Sequence, residues 1–440
     1  MLGYYLDLGL RSLKRNMVLS ALMVATIAMG ISTSITMFTV LHNLSSNPLP
    51  QRSGVLFHPQ IDPRPINVTD SNSEPPDDLT YTDAVNLYRM NGADHRVMTS
   101  SNTLPIRNDA DGSPLSMATV RATTGDFFNM FDVPFESGSG WSTADDDRHA
   151  QVVVITHSLS KTLFNGASPV GRSLVVANKT FRVVGVISDW NPRPQFYDLN
   201  GSVATGGAYG DSAQMYMPFE SWLDTPQDYG FGPMRCWGDP NSGDHNPKAP
   251  NCTWVQFWVE LGSSAKATRY EGMIRGYSQQ QRQLGRFERE PNVRLRSMMG
   301  WLDYKRVVPS VVNMQTWIAF GVFLICMVNT VGLLVAKFLR KAPEIGVRRA
   351  LGATRRDVFT QCMVESGVVG ALGGLAGLPL TGLGLWLVRL QPVNYAASVH
   401  LDMTMLISAL MLSVTATLAA GCWPAWRAAT LAPALQVKIA

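Results

Sequence analysis

Apolar residues run almost unbroken through four stretches of the chain: Met17–Leu41, Val307–Ala336, Cys362–Leu390 and Met403–Trp423. A helix needs about 20 apolar residues to cross a bilayer, and each stretch is long enough. Core helices of soluble proteins are shorter and carry one polar face. None of the four has a charge in its middle, which argues against an ion or proton pathway through the spans. The first stretch exceeds the roughly 7–15-residue core of a cleaved signal, and no A-x-A-like site follows it. It reads as a retained anchor.

Between the first two spans the pattern changes. Alternating or β-branched runs predict strands over Gln151–Ile155, Phe181–Ile187, Trp254–Leu261 and Val293–Met298. Helical periodicity appears over Leu79–Met90, His157–Phe164 and Ala265–Leu284. Pro, Gly, Asn and Asp crowd Asn191–Gly210 and Pro226–Asn251, which read as long loops. The expected fold is four transmembrane α-helices with a large α+β domain between spans one and two. The chain divides into a leading segment (1–16), span one (17–43), the α+β domain (44–306), span two (307–336) and a loop (337–361). Span three (362–390), a short turn (391–402), span four (403–424) and a tail (425–440) complete it.

Charge orients this arrangement. Segments 1–16, 337–361 and 425–440 together hold twelve Lys/Arg against three Asp/Glu, whereas 44–306 holds 24 Lys/Arg against 28 Asp/Glu. By the positive-inside rule both termini and the 337–361 loop face the cytoplasm, and the α+β domain lies outside. Apolar residues make up 46% and charged residues 16%, against about 25% charged in an average soluble protein, which excludes a disordered chain. A net charge of +4 is too small to argue for a nucleic-acid partner.

Catalytic constellations are missing from the sequence: there is no HExxH, CxxC, GxSxG or EF-hand loop. Asp145–Asp147 resembles a metal cluster, but adjacent acids do not converge on any regular element, so a solvated loop is expected. Gly166-Ala-Ser-Pro-Val-Gly171-Arg172-Ser173 has P-loop spacing, yet Arg172 replaces the lysine and the segment precedes a strand rather than a helix. Its glycines read as a turn. Cys326, Cys362 and Cys422 fall in or beside spans. Cys236 and Cys252 are the two cysteines of the α+β domain, and in an oxidising compartment they form a disulfide; two free thiols are the alternative.

The 337–361 loop is the most informative segment. Pro343 suits the first turn of a helix, Glu344 its positive end, and Gly352 its stop. Thr354 then resembles an N-cap, with Asp357 three residues on. Ile345, Val347 and Leu351 supply apolar side chains, and Arg348 and Arg349 supply charge. Such a helix fits a groove on a partner protein. Contact with anionic membrane lipid is the alternative. Within the spans, Gly30 and Ser34 in span one, and Gly370 with Gly374 and Gly373 with Gly377 in span three, have small-xxx-small spacing for close helix approach. Asn329, polar within span two, is expected to hydrogen-bond a neighbouring helix.

The string Glu344-Ile345-Gly346-Val347-Arg348-Arg349-Ala350-Leu351-Gly352-Ala353 resembles the cytoplasmic motif of FtsX-like permeases, the MacB-type (type VII) branch of ABC transporters. Asp126-Phe-Phe, Gln151–Ile155, Pro169-Val-Gly-Arg172 and Phe181–Val186 are similar, in order, to the MacB-type periplasmic core domain. Glu365-Ser366 and the tail Gly421–Ala429 agree as well. The resemblance implies that Pro343–Gly352 is a coupling helix that docks on an ABC ATPase. With no fused nucleotide-binding domain in the sequence, that ATPase is expected as a separate dimeric subunit binding ATP and Mg, leaving no cofactor and no catalysis in this chain. It also implies a second permease chain, identical or homologous, with span one at the interface, and a multi-pass place in a bacterial inner membrane. The implied activity is mechanotransmission that exports a substrate from the periplasm or outer leaflet. Lipoprotein release of the Lol type, or relay to an envelope hydrolase, are the alternatives, and an adaptor and outer-membrane channel stay open.

Overall fold

A computed structural model of the protein describes residues 17–68, 73–108, 115–199, 207–225, 233–237, 246–399 and 403–430. The expected leading segment 1–16, the end of the tail and parts of the 191–210 and 226–251 loops lie outside the described residues. The chain forms two compact units, Met1–Ser45 with Val308–Ala440, and Ser46–Val307.

The first unit holds four long apolar helices: α1 (Met17–Ser45), α9 (Ser310–Arg340), α11 (Arg355–Arg389) and α12 (Met403–Thr430). All four are long and apolar enough to cross a membrane. Three of them run past the expected span ends into the basic segments, because helical hydrogen bonding does not stop where hydrocarbon does. The expected loop 337–361 is therefore mostly helical. Between α9 and α11 sits the short helix α10 (Ala342–Ala350).

The second unit is a mixed α+β domain. Its strands are β1 (Leu56–Ile61), β2 (Leu79–Thr80), β3 (His95–Asn108), β4 (Ser116–Thr123), β5 (Phe135–Gly138) and β6 (Val152–Thr156). Then come β7 (Ser173–Val176), β8 (Lys179–Ile187), β9 (Met215–Pro218), β10 (Arg235–Cys236), β11 (Cys252–Glu260) and β12 (Val293–Ser297). The helices are α2 (Tyr81–Arg89), α3 (Asp126–Met130), α4 (Thr143–Asp147), α5 (His157–Phe164), α6 (Phe219–Leu223), α7 (Ser264–Gln283) and α8 (Met298–Tyr304). The main path of pairing is β12-β1-β11-β3-β4-β9-β6-β8-β5. Pairs β4–β9 and β6–β8 are parallel. Strand β7 bonds both β3 and β8, so β3-β4-β9-β6-β8-β7 closes into a ring. Leu104, Ile106, Val120, Val153, Leu174, Phe181, Val183 and Met215 are buried in the core of this unit. Gly166 and Gly171, in the P-loop-like string, have φ of +82° and +89° and turn the chain from α5 into β7.

Two acid–base groups are buried where polarity alone gives no warning. The expectation of a solvated loop at Asp145–Asp147 is corrected: the segment is helix α4, opened by a Ser142–Asp145 capping box. Asp146 points inward, accepting from Gly125 N–H and Trp141 Nε1–H, each at 2.7 Å. Burial pushes its carboxyl up to about 7. His58 is stacked on Trp301 with ring centroids 4.0 Å apart, and its Nε2–H donates to the Asp77 carbonyl at 2.8 Å. Burial pushes this imidazole down to about 4.

The unfolded imidazole titrates near 6.5, so below that pH the unfolded chain takes up a proton that the folded one excludes. Stability contributed by neutral His58 is present above about 6.5 and is lost as pH falls toward 4. At about 1.4 kcal/mol per pH unit the loss approaches 3 kcal/mol. Thermal melts of the full chain and of His58→Phe between pH 7.5 and 4.5 are expected to converge on acidification, with the parent losing more. Parallel curves would show that His58 does not titrate this way.

Candidate functional site

Helix α10 forms because Pro343 lies in its first turn and Glu344 meets the positive end of the helix dipole, while Arg348 and Arg349 sit in the last turn. Gly352 ends it with φ +103°, a conformation that suits glycine, and Ala353 N–H reaches the Arg348 carbonyl at 3.1 Å. Thr354 and Asp357 then cap α11 reciprocally.

The helix has two distinct faces. Ile345 and Gly346 are buried, with Ile345 in the same cluster as Phe338, Val358 and Cys362. Val347 is 54% exposed and Leu351 84% exposed. Four residues apart, they lie on one face and point away from the bundle. The three apolar residues read from the sequence thus do different things: Ile345 anchors, whereas Val347 and Leu351 project. Glu344 is engaged by Arg348 Nη2 at 3.2 Å.

Several bonds fix the anchored face. Arg348 Nη1 donates to Gln361 Oε1 at 3.0 Å, and Arg349 Nη1 to the Ala429 carbonyl at 3.4 Å. Beneath them, Glu365 accepts an ion pair from Lys337 at 2.6 Å and another from Lys341 at 2.9 Å. Lys337 and Glu365 are both buried, so Lys337 is not the loop residue that the charge pattern suggested. Their partnership went unread because Lys337 and Glu365 lie on antiparallel helices, far apart in sequence. The available signal was a lysine pair four residues apart and one acidic residue just inside span three. Helix α10 is thereby tied to α9, α11 and α12.

Glycines seat the spans. A Cβ at Gly370 would meet Thr417 of α12, and one at Gly374 would meet Ser413 of α12. At Gly373 and Gly377 it would meet Ile27 and Ala28 of α1. Helix α11 is therefore packed between α1 and α12. The Gly30 position faces Cys326, and Ser34 Oγ donates to the Ala319 carbonyl at 3.2 Å. Those two residues serve close contact with α9 of the same chain. Asn329 faces outward from α9 rather than toward a neighbouring helix of this chain.

Cys236 and Cys252 stand directly opposite on β10 and β11 and are joined by a disulfide. Among the described residues no group of His, Cys, Asp and Glu could hold a metal ion.

The profile of the MacB-like periplasmic core domain matches residues 20–275, and that of the FtsX-like permease C-terminal region matches residues 317–433. The chain belongs to this MacB/FtsX family of ABC transporter permeases and is a multi-pass membrane protein. It is 24% identical over 377 residues to the macrolide export ATP-binding/permease protein MacB of Azoarcus sp. (strain BH72), covering 86% of this chain and 51% of that one. It is 24% identical to the pyoverdine export ATP-binding/permease protein PvdT of Pseudomonas aeruginosa, covering 72% of this chain and 41% of that one. The uncharacterized ABC transporter permease YvrN of Bacillus subtilis (strain 168) is 22% identical, with 72% of this chain and 69% of that one covered. The chain thus spans about half, or less, of the two export relatives. The periplasmic region of MacB from Actinobacillus actinomycetemcomitans aligns with a TM-score of 0.35 at 13% identity, over 57% of this chain and 94% of that one.

Proposed function

We propose that this chain is the membrane subunit of an ATP-driven MacB-type exporter, and that α10 docks on a separate, dimeric ABC ATPase that binds the ATP and Mg. Two permease chains, identical or homologous, pair in the assembly, with α10 facing the cytoplasm of a bacterial cell. The ATPase stroke moves α10, and the Glu365 ion pairs pass that movement to the spans and on to the outer domain. The substrate is taken from the periplasm or outer leaflet, and this chain performs no hydrolysis itself. The observation that carries the reading is the division of α10 into a bonded face and a projecting Val347–Leu351 face. A helix fixed on one side and apolar on the other behaves as a lever with a docking knob.

The test is co-purification of an ABC ATPase with tagged full-length chain, scored by recovered ATP hydrolysis. Buried apolar anchors at interfaces contribute about 2 kcal/mol or more each. Val347→Asp and Leu351→Asp are therefore each expected to lower recovery by about 30-fold, with melting of the chain unchanged. Full recovery with both substitutions present removes α10 as the docking element.

A further inference from the structure

Toward the ends of α1, α9 and α12 that lie away from α10, the three helices part around a cavity of about 520 Å³. Its walls include Ser34 and Phe38 of α1, Thr316 and Phe320 of α9, and Ser408, Met411 and Thr415 of α12. Four of these carry hydroxyls, which at first sight suits a polar ligand. Each hydroxyl is already committed. Thr316, Ser408 and Thr415 donate to the carbonyls of Val312, Thr404 and Met411 in their own helices, and Ser34 donates to Ala319. The cavity therefore offers methyl, methylene and ring surface and no free donor.

Three physical constraints select its occupant. Water needs about two to four polar partners in a cavity, and this lining offers it no donor, only the lone pairs of four hydroxyls whose protons are already given to carbonyls. A helix from another chain is about 10–12 Å across with side chains, whereas the cavity equals a cube about 8 Å on a side, so a whole helix cannot enter it and only single side chains would reach in. Leaving it void forfeits dispersion contacts along its lining. The rim, by contrast, is on the outward surface of the bundle: Phe38, Phe320 and Met411 are 47%, 47% and 60% exposed. A single hydrocarbon chain is thin enough to enter from that side.

We propose that this cavity is a binding site for one acyl chain of a membrane phospholipid, held between α1, α9 and α12. The chain enters laterally, and its occupancy completes the packing that α9 and α12 do not make with each other at this level.

The experiment places the full-length chain in phosphatidylcholine nanodiscs doped with the same lipid carrying a diazirine in one acyl chain. Adducts after illumination are mapped by mass spectrometry. Ile325 and Val328, at least as exposed as Met411 but outside the cavity, are the reference. Adducts on Phe38, Phe320 and Met411 are expected to exceed the reference by about tenfold. Thr415→Phe and Ser408→Phe, tested separately so that either suffices if the other misfolds, are each expected to abolish that excess while the reference labelling persists. Equal labelling of cavity and reference, or an excess that survives both substitutions, overturns the proposal. So does protection of the cavity alone, which would show another protein surface over it.

Discussion

Glu365→Ala is expected to destabilise the helical unit by about 3–5 kcal/mol, the largest effect of any single change in the spans. The reason is what the substitution leaves behind. Lys337 is fully buried and Lys341 partly so, and both direct their ammonium groups at the one carboxylate. Removing that carboxylate takes the ion-pair partner from the buried Lys337 and one partner from Lys341. Desolvation of each had been offset by attraction at 2.6 and 2.9 Å. Lys337→Met is expected to cost less, because Glu365 keeps Lys341 and the new side chain fills the lysine's apolar path. The double variant Lys337→Met with Glu365→Gln is expected to recover part of the loss, since the buried Lys337 charge has gone. Thermal melting of detergent-solubilised full chain measures all three. If Glu365→Ala melts with the parent, the triad carries no structural role, and the proposed route of movement from α10 into the spans goes with it.

The spans and the helix–break–helix motif were readable because each rests on local information: apolar length in one case, Pro343, Gly352 and the Thr354–Asp357 pair in the other. The orientation of α10 was half readable. At about 100° per residue, Ile345 cannot share a face with Val347 and Leu351. Which face meets the bundle depends on Val358 and Cys362, which only the fold brings near. The same limit hid Asp146 and His58. Nothing in Asp145-Asp146-Asp147 distinguishes the middle acid until Gly125 and Trp141 supply its two N–H donors. Strand β3 was missed because its Ser-Ser-Asn-Thr stretch and Pro105 look like a turn. Its pairing with β4, the next strand, and with the more distant β7 and β11 overrides that local preference. For span one, small-residue spacing correctly marked a close helix contact but could not say whose helix.

Gly370→Ala and Gly382→Ala, the same chemical change in the same helix, are expected to move stability in opposite directions. An alanine Cβ at Gly370 would lie 1.9 Å from Thr417 Oγ1 and 2.9 Å from Thr417 Cβ. Threonine can switch between two rotamers in a helix, but its Cβ does not move with that rotation, so the 2.9 Å contact persists. The α11 and α12 backbones must separate instead. That also stretches the 2.7 Å bond from Ser413 Oγ to the Gly370 carbonyl. Overpacking of this kind costs about 1–3 kcal/mol. At Gly382 the added methyl meets nothing within 4 Å, and alanine removes glycine's excess backbone freedom, a gain of about 0.5–1 kcal/mol. Gly373→Ala is expected to behave like Gly370→Ala, because its Cβ would approach Ile27 to 2.5 Å, another β-branched neighbour. Melts of the three variants beside the parent decide the matter. Equal shifts at positions 370 and 382 would mean that α11 does not pack against α12 as closely as these glycines require, and the central place of span three in the bundle would be lost.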